Sequence, residues 1–177
     1  NAATLKVYSS NDNGATWTTL LEGVAYSVEV NPNGKIFTLV DNNIYMSEGE
    51  NFVVITNGEE NKLPATETFK IIAASPSDAN FVYVAYLSAT YGTGTIYMTV
   101  DGGENWVVAH EATPIYEIFG TRGLIDHAMT VYPTDPRKVL IGGSNLWVLR
   151  DIYGDGVFRL EQISSNVGPQ IIGGIYN

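Results

Sequence analysis

Short apolar runs recur along the chain in a fixed order, and none shows the three-to-four-residue spacing of an amphipathic helix. Three times a run ends in a proline turn: Val30-Asn31-Pro32-Asn33-Gly34, Ser75-Pro76-Ser77-Asp78 and Tyr132-Pro133-Thr134-Asp135-Pro136. Each turn leads into a second apolar run, at 35–40, 81–86 or 138–141. A third short run follows at 43–46, 95–100 and 146–150, and a fourth at 52–55, 106–110 and 157–163. Four short strands in each unit of about 40–50 residues is the period of a propeller blade. The predicted fold is therefore all-β: a β-propeller segment built from four-stranded antiparallel blades. The expected layout is a partial blade at 4–21, whole blades at 24–56, 68–110 and 124–164, and the first strand of a further blade at 167–177. A single blade cannot bury both faces of its sheet, so the blades are expected to stack as part of a longer array.

A turn motif keeps step with these runs. Residues 10–17 read Ser-Asn-Asp-Asn-Gly-Ala-Thr-Trp and residues 99–106 read Thr-Val-Asp-Gly-Gly-Glu-Asn-Trp. Both fit Ser/Thr-x-Asp-x-Gly-x-x-Trp, with Ser10, Asp12, Gly14 and Trp17 matching Thr99, Asp101, Gly103 and Trp106. A decayed copy at 45–52 keeps Gly49 and ends on Phe52, with Ser47 in place of the aspartate. A fainter echo ends in Gly154-Asp155-Gly156-Val157-Phe158. The spacing suits a hairpin turn: glycine takes a positive φ, and the aspartate two positions earlier accepts hydrogen bonds from turn amides. The aromatic is expected to fold back as an apolar plug. Repetition favours this structural role over catalysis, because an enzyme needs one site whereas the fold needs every blade.

The motif resembles the Asp-box, or bacterial neuraminidase repeat, of sialidases, xyloglucan-degrading glycoside hydrolases, sortilin-type receptors and photosystem II assembly factors. The resemblance spans nearly the whole chain at blade level. It implies a propeller whose boxes lie between the third and fourth strands of a blade, away from the ligand face. It implies no single activity, since the same blades host unrelated functions. A sialidase of this kind is expected to show an Arg-Ile-Pro motif, an arginine triad and a Tyr–Glu pair. The chain lacks Arg-Ile-Pro and has four arginines in all.

Charge narrows the partners. Nine Lys and Arg against nineteen Asp and Glu give a net charge of −10, and the basic residues build no stripe, so nucleic-acid binding is not expected. Cysteine is absent, which removes thiolate zinc sites and disulfides. No apolar run approaches the ~20 residues of a membrane helix, so membrane insertion is not expected. The stretch Asp151-Ile152-Tyr153-Gly154-Asp155-Gly156 is a poor calcium loop, because Tyr153 fills the third position and Gln162 the twelfth, and a decayed turn motif fits it better. No P-loop, dinucleotide fingerprint or zinc-binding His pair occurs, so neither metal nor cofactor is expected.

Strand direction alternates within a blade, so the Asp-box and proline turns share one face. The loops that remain on the other face are longer and irregular: 57–67, 87–94 and 111–123. Binding concentrates on such loops. Tyr91 and Tyr116 are candidates for stacking on a sugar ring or partner side chain, with Arg122 and His127 as polar contacts. Glu117 and Asp126 are the weak catalytic candidates, chosen by location, because glycoside hydrolysis uses two carboxylates across the bond. The expected function is a non-catalytic binding or scaffolding segment of a secreted or cell-surface protein, engaging a protein or glycan. The alternative is a fragment of a glycoside hydrolase, xyloglucanase-like rather than sialidase-like.

Overall fold

A strand with a blade on each face has no solvent side, and its sequence loses the alternation of a half-buried strand. The segment Val82-Tyr83-Val84-Ala85-Tyr86-Leu87 is such a strand, buried at all six positions. It lies at the centre of a computed structural model that describes residues 6–66, 69–87, 94–111, 118, 127–143, 145–164 and 170–174. The described residues are all-β, in four antiparallel sheets.

The chain enters through a hairpin of β1 (Lys6–Ser9) and β2 (Thr18–Glu22). The first full blade is β3 (Ala25–Val30), β4 (Ile36–Val40), β5 (Asn43–Glu48) and β6 (Asn51–Val54), hydrogen-bonded in that order. The second is β7 (Phe69–Ala74), β8 (Val82–Leu87), β9 (Gly94–Thr99) and β10 (Val107–His110). The third begins with β11 (Ala128–Tyr132), β12 (Asp135–Gly142), β13 (Leu146–Arg150) and β14 (Arg159–Gln162). First strands stand side by side, β7 touching both β3 and β11, which is the inner-strand arrangement of a propeller.

One expectation is corrected. The strand foreseen at 167–177 as the opening of a further blade is β15 (Gln170–Gly174), and it pairs antiparallel with β14 as a fifth strand of the third sheet. An outermost strand carries a row of open N–H and C=O groups, and the returning chain satisfies that row on β14.

Two apolar layers hold the blades together. Phe37, Leu39, Ile44 and Met46 of the first blade pack against Ile72, Val82, Val84, Tyr86 and Trp106 of the second. Tyr83, Ala85, Leu87 and Ile96 from the other face of the second blade meet Val139, Ile141, Trp147, Leu149, Phe158 and Leu160 of the third. Polar links cross the same seams. Tyr83 donates its hydroxyl to Pro136 O at 2.8 Å, and Asn31 Nδ2 donates to Ala79 O at 2.9 Å. The opposite face of β3 has no such cover: Val28 is 47% exposed and Val30 56%.

Candidate functional site

The two intact turn motifs share one hydrogen-bond pattern. Ser10 Oγ donates to Asp12 Oδ1 (2.8 Å) and accepts from Gly14 N (2.7 Å). Asp12 also accepts from Thr16 N (2.8 Å) and Thr16 Oγ1 (2.6 Å), while Trp17 Nε1 donates to Gly14 O (3.0 Å). Residues 99–106 repeat the pattern. Thr99 Oγ1 donates to Asp101 Oδ1 (2.7 Å) and accepts from Gly103 N (3.0 Å). Asp101 takes the Asn105 amide (3.0 Å) and side chain (2.7 Å), and Trp106 Nε1 donates to Gly103 O (3.1 Å). Bonds from Thr16 above all, then from Ser10, hold the Asp12 carboxyl down at about 2. At Asp101 burial acts to raise the value, but the bonds from Asn105, Thr99 and Glu104 together outweigh it and lower it. Carboxylates held this firmly in the ionised form lock turns and are poor proton donors near neutral pH.

The two decayed copies differ. At 45–52 the turn shrinks to Gly49-Glu50 between β5 and β6, and Ser47 Oγ accepts from Ile36 N instead (2.9 Å). At 151–158 the aspartates are kept but differently engaged. Asp151, its side chain 2% exposed, accepts from Asp155 N (3.1 Å) and Gly156 N (2.9 Å) and lies 3.6 Å from Arg137. Asp155 receives both terminal nitrogens of Arg159, at 3.0 and 2.7 Å. The arginine bonds first of all, then the Val157 amide, press the Asp155 carboxyl well below its ordinary range. The chain's own amides and guanidinium groups thus occupy the carboxylates that a calcium loop needs as ligands.

Two concave surfaces among the described residues carry carboxylates. A groove of about 620 Å³ runs between the outer strand of the second blade and the third blade's 151–158 turn. Met98, Val107 and Phe158 form its apolar wall, with Glu111 and Asp155 as its carboxylates. Next to Glu111, His110 is buried, its Nε2 has no hydrogen-bond partner among the described residues, and burial lowers its pKa. A smaller cleft of about 360 Å³ lies on the face opposite the box turns, lined by Asp41, Asn42, Asn43, Ala65 and Thr66. The buried ammonium of Lys70 donates to Asn42 O (2.9 Å) and Thr66 O (2.7 Å), two residues of this lining. It also stands 5.0 Å from the centre of the Tyr86 ring.

Of the sequence-chosen candidates, Tyr91, Tyr116, Glu117, Arg122 and Asp126 lie outside the described residues. His127 is half-buried immediately before β11. In the 57–67 loop, of which 57–66 are described, residues 57–61, 65 and 66 are exposed, while the middle is anchored in the fold. Leu63 is buried in the seam between the first two blades, Asn61 O accepts from Trp106 N (2.9 Å), and Lys62 Nζ donates to Glu104 O (2.7 Å). Sequence reasoning missed Lys70. The available signal was a lone lysine entering the apolar run Ile71-Ile72-Ala73-Ala74, a position where a charge is kept only with partners.

No protein-family model matches the sequence. No curated protein is recognisably similar to it. Among solved structures, the chain is similar to the crystal structure of the Niastella koreensis GH74 enzyme, with a TM-score of 0.61 and 13% sequence identity. The match covers 94% of this chain and 31% of that enzyme, so the chain spans about a third of the length of the structure it resembles. At that identity the likeness carries the fold: the chain is a run of β-propeller blades.

Proposed function

We propose that the chain is a binding or scaffolding segment of an Asp-box propeller, belonging to a secreted or cell-surface protein, and that it holds a protein or glycan without catalysis. The engagement of the turn carboxylates carries this reading. Asp12, Asp101, Asp151 and Asp155 each face amides, hydroxyls or guanidinium groups of their own turn or its neighbour. Glycoside hydrolysis needs two carboxylates about 5–10 Å apart that are free to exchange protons or attack. The shared Ser/Thr–Asp–Gly–Trp bonding at 10–17 and 99–106 supports the Asp-box assignment. The groove beside Met98, Val107 and Phe158 offers a partner an apolar wall with an acceptor, Glu111, at its edge.

A second reading is favoured by the likeness to the GH74 enzyme: a segment of a glycoside hydrolase whose carboxylates are Glu117 and Asp126. Xyloglucan separates the two. The binding reading expects retention of the protein on the polysaccharide, or on a protein partner, with no new reducing ends. Release of reducing sugar that disappears in Glu117→Gln and Asp126→Asn refutes it and establishes the hydrolase.

A further inference from the structure

Five times an asparagine or aspartate precedes glycine: Asn13-Gly14, Asn33-Gly34, Asn57-Gly58, Asp101-Gly102 and Asp155-Gly156. Such steps are chemically fragile, because a glycine has no Cβ to keep its nitrogen from the side chain before it. When that nitrogen attacks the asparagine Cγ, an N–Cγ bond forms and Cγ–Nδ2 breaks. Nδ2 leaves as ammonia, carrying the proton of the glycine amide. Water then opens the cyclic imide to aspartate or to isoaspartate, whose main chain runs through the former side chain. Water is the only co-reactant.

All five glycine nitrogens are engaged as donors. Gly14 N donates to Ser10 Oγ (2.7 Å), Gly34 N to Asn31 O (2.9 Å) and Gly58 N to Leu63 O (3.0 Å). Gly102 N donates to Asn80 O (3.0 Å) and Gly156 N to Asp151 Oδ2 (2.9 Å). A nitrogen whose proton is held by an acceptor cannot attack until that bond opens, so each bond is a latch on its own step.

The latches are unequal. Asn31 is 4% exposed and is itself fixed, by its Nδ2 bond to Ala79 O and by the Asn33 and Lys35 amides on its Oδ1. Leu63 is buried in the seam of the first two blades, and Glu59 N also holds Asn57 Oδ1 (3.1 Å). Asp101 and Asp155 are kept ionised by their bonds, and a carboxylate is a poor electrophile. Asn13-Gly14 has none of these safeguards. Both residues are exposed, and the acceptor is a hydroxyl that can rotate away rather than an anchored carbonyl. The turn closes the two-stranded β1–β2 sheet, where Trp17 is 63% exposed against 5% for Trp106. A two-stranded hairpin opens more readily than a four-stranded sheet.

We propose that Asn13 is a site of spontaneous deamidation, the first of the five steps to react, and that Ser10 is the latch that sets its rate. The first hydroxyl of the box thereby guards a reactive bond as well as closing a turn. At 99–106 Thr99 makes the same bond to Gly103, but Gly102 stands where Asn13 does, and the step is inert. Deamidation adds a negative charge beside Asp12, and isoaspartate lengthens the main chain between Ser10 and Gly14 by a methylene.

Incubation of the native full-length protein in mildly alkaline buffer, followed by peptide mapping with mass spectrometry, tests the proposal. Asn13 should convert before Asn33 and Asn57, and in urea the three should react alike. Ser10→Ala should speed conversion at Asn13 alone by about two- to twelvefold, the effect of losing one neutral hydrogen bond. Ser10→Thr should keep the native rate, as Thr99 makes the equivalent bond. Thr16→Val removes a hydroxyl bond to Asp12 but keeps the latch, and should also leave the rate near native. Earlier conversion of Asn33 or Asn57 overturns the proposal, as does an unchanged rate in Ser10→Ala. Equal acceleration by Thr16→Val and Ser10→Ala overturns it too, because general loosening of the hairpin then sets the rate.

Discussion

Replacing Gly103 by alanine separates the two roles of the box turn, closing a hairpin and joining two blades. The backbone contribution comes from φ of +98°, where an L-residue is strained by about 1–2 kcal/mol. The packing contribution comes from the added methyl, 2.6 Å from Met46 Sδ and 3.0 Å from the Phe37 ring. Overpacking of this kind costs about 1–3 kcal/mol. The expected loss is therefore about 2–5 kcal/mol. Gly14→Ala is the control, because its φ of +89° gives the same backbone strain while its methyl meets only Trp17 at 3.5 Å. It should cost about 1–2 kcal/mol. Urea unfolding of both variants gives the difference, provided the slopes match. Met46 is the more yielding neighbour, so Met46→Ala in the Gly103→Ala background should recover part of the packing loss, measurable as a coupling in a double-mutant cycle. Equal losses for Gly103→Ala and Gly14→Ala would refute the joint, since only the hairpin role would then be felt.

Acid should loosen the turns first. Asp12 has a folded value of about 2 against 3.8, so its contribution is present above 3.8 and is lost as pH falls toward 2; Asp101 and Asp155 are lowered in the same direction. The urea midpoint should fall across that window, and Asp12→Asn should flatten part of the fall. Tyr83→Phe leaves the Pro136 carbonyl without its cross-blade donor and should cost about 1–3 kcal/mol in the same assay. Lys70→Met removes a charged donor from the Asn42 and Thr66 carbonyls and should cost about 2–3 kcal/mol, with stability at neutral pH as the readout.

The blades were legible because propeller strands write their burial into their sequence. Residues 82–87 read as an unbroken apolar run, and they are buried on both faces by adjoining blades. The proline turns mark where first strands end, and the Asp–Gly pairs mark the outer hairpins. β15 was not legible as a fifth strand, because Gln170-Ile171-Ile172 has the apolar character of an opening strand and edge pairing is set by which partner lies free. The partial blade at the start was legible as a hairpin, but the exposure of Trp17 was not. Trp17 shares its motif with Trp106, and only Trp106 is buried against the first blade, beside Phe37 and Met46.

The same reasoning explains why function was harder to read than fold. The motif that repeats does so because each blade needs it, and repetition removes it from candidacy as a single site. Groups that occur once carry more information: Lys70 among apolar neighbours, His110 buried with an open nitrogen, Glu111 at the mouth of a groove. None belongs to a local motif, because each is defined by strands brought together from separate stretches of chain. Lys70 illustrates the point: its two acceptors lie 28 residues upstream and four upstream, on a turn and on a loop that meet only when the first two blades stack. The inter-blade seam is therefore where chemistry absent from any single repeat can arise.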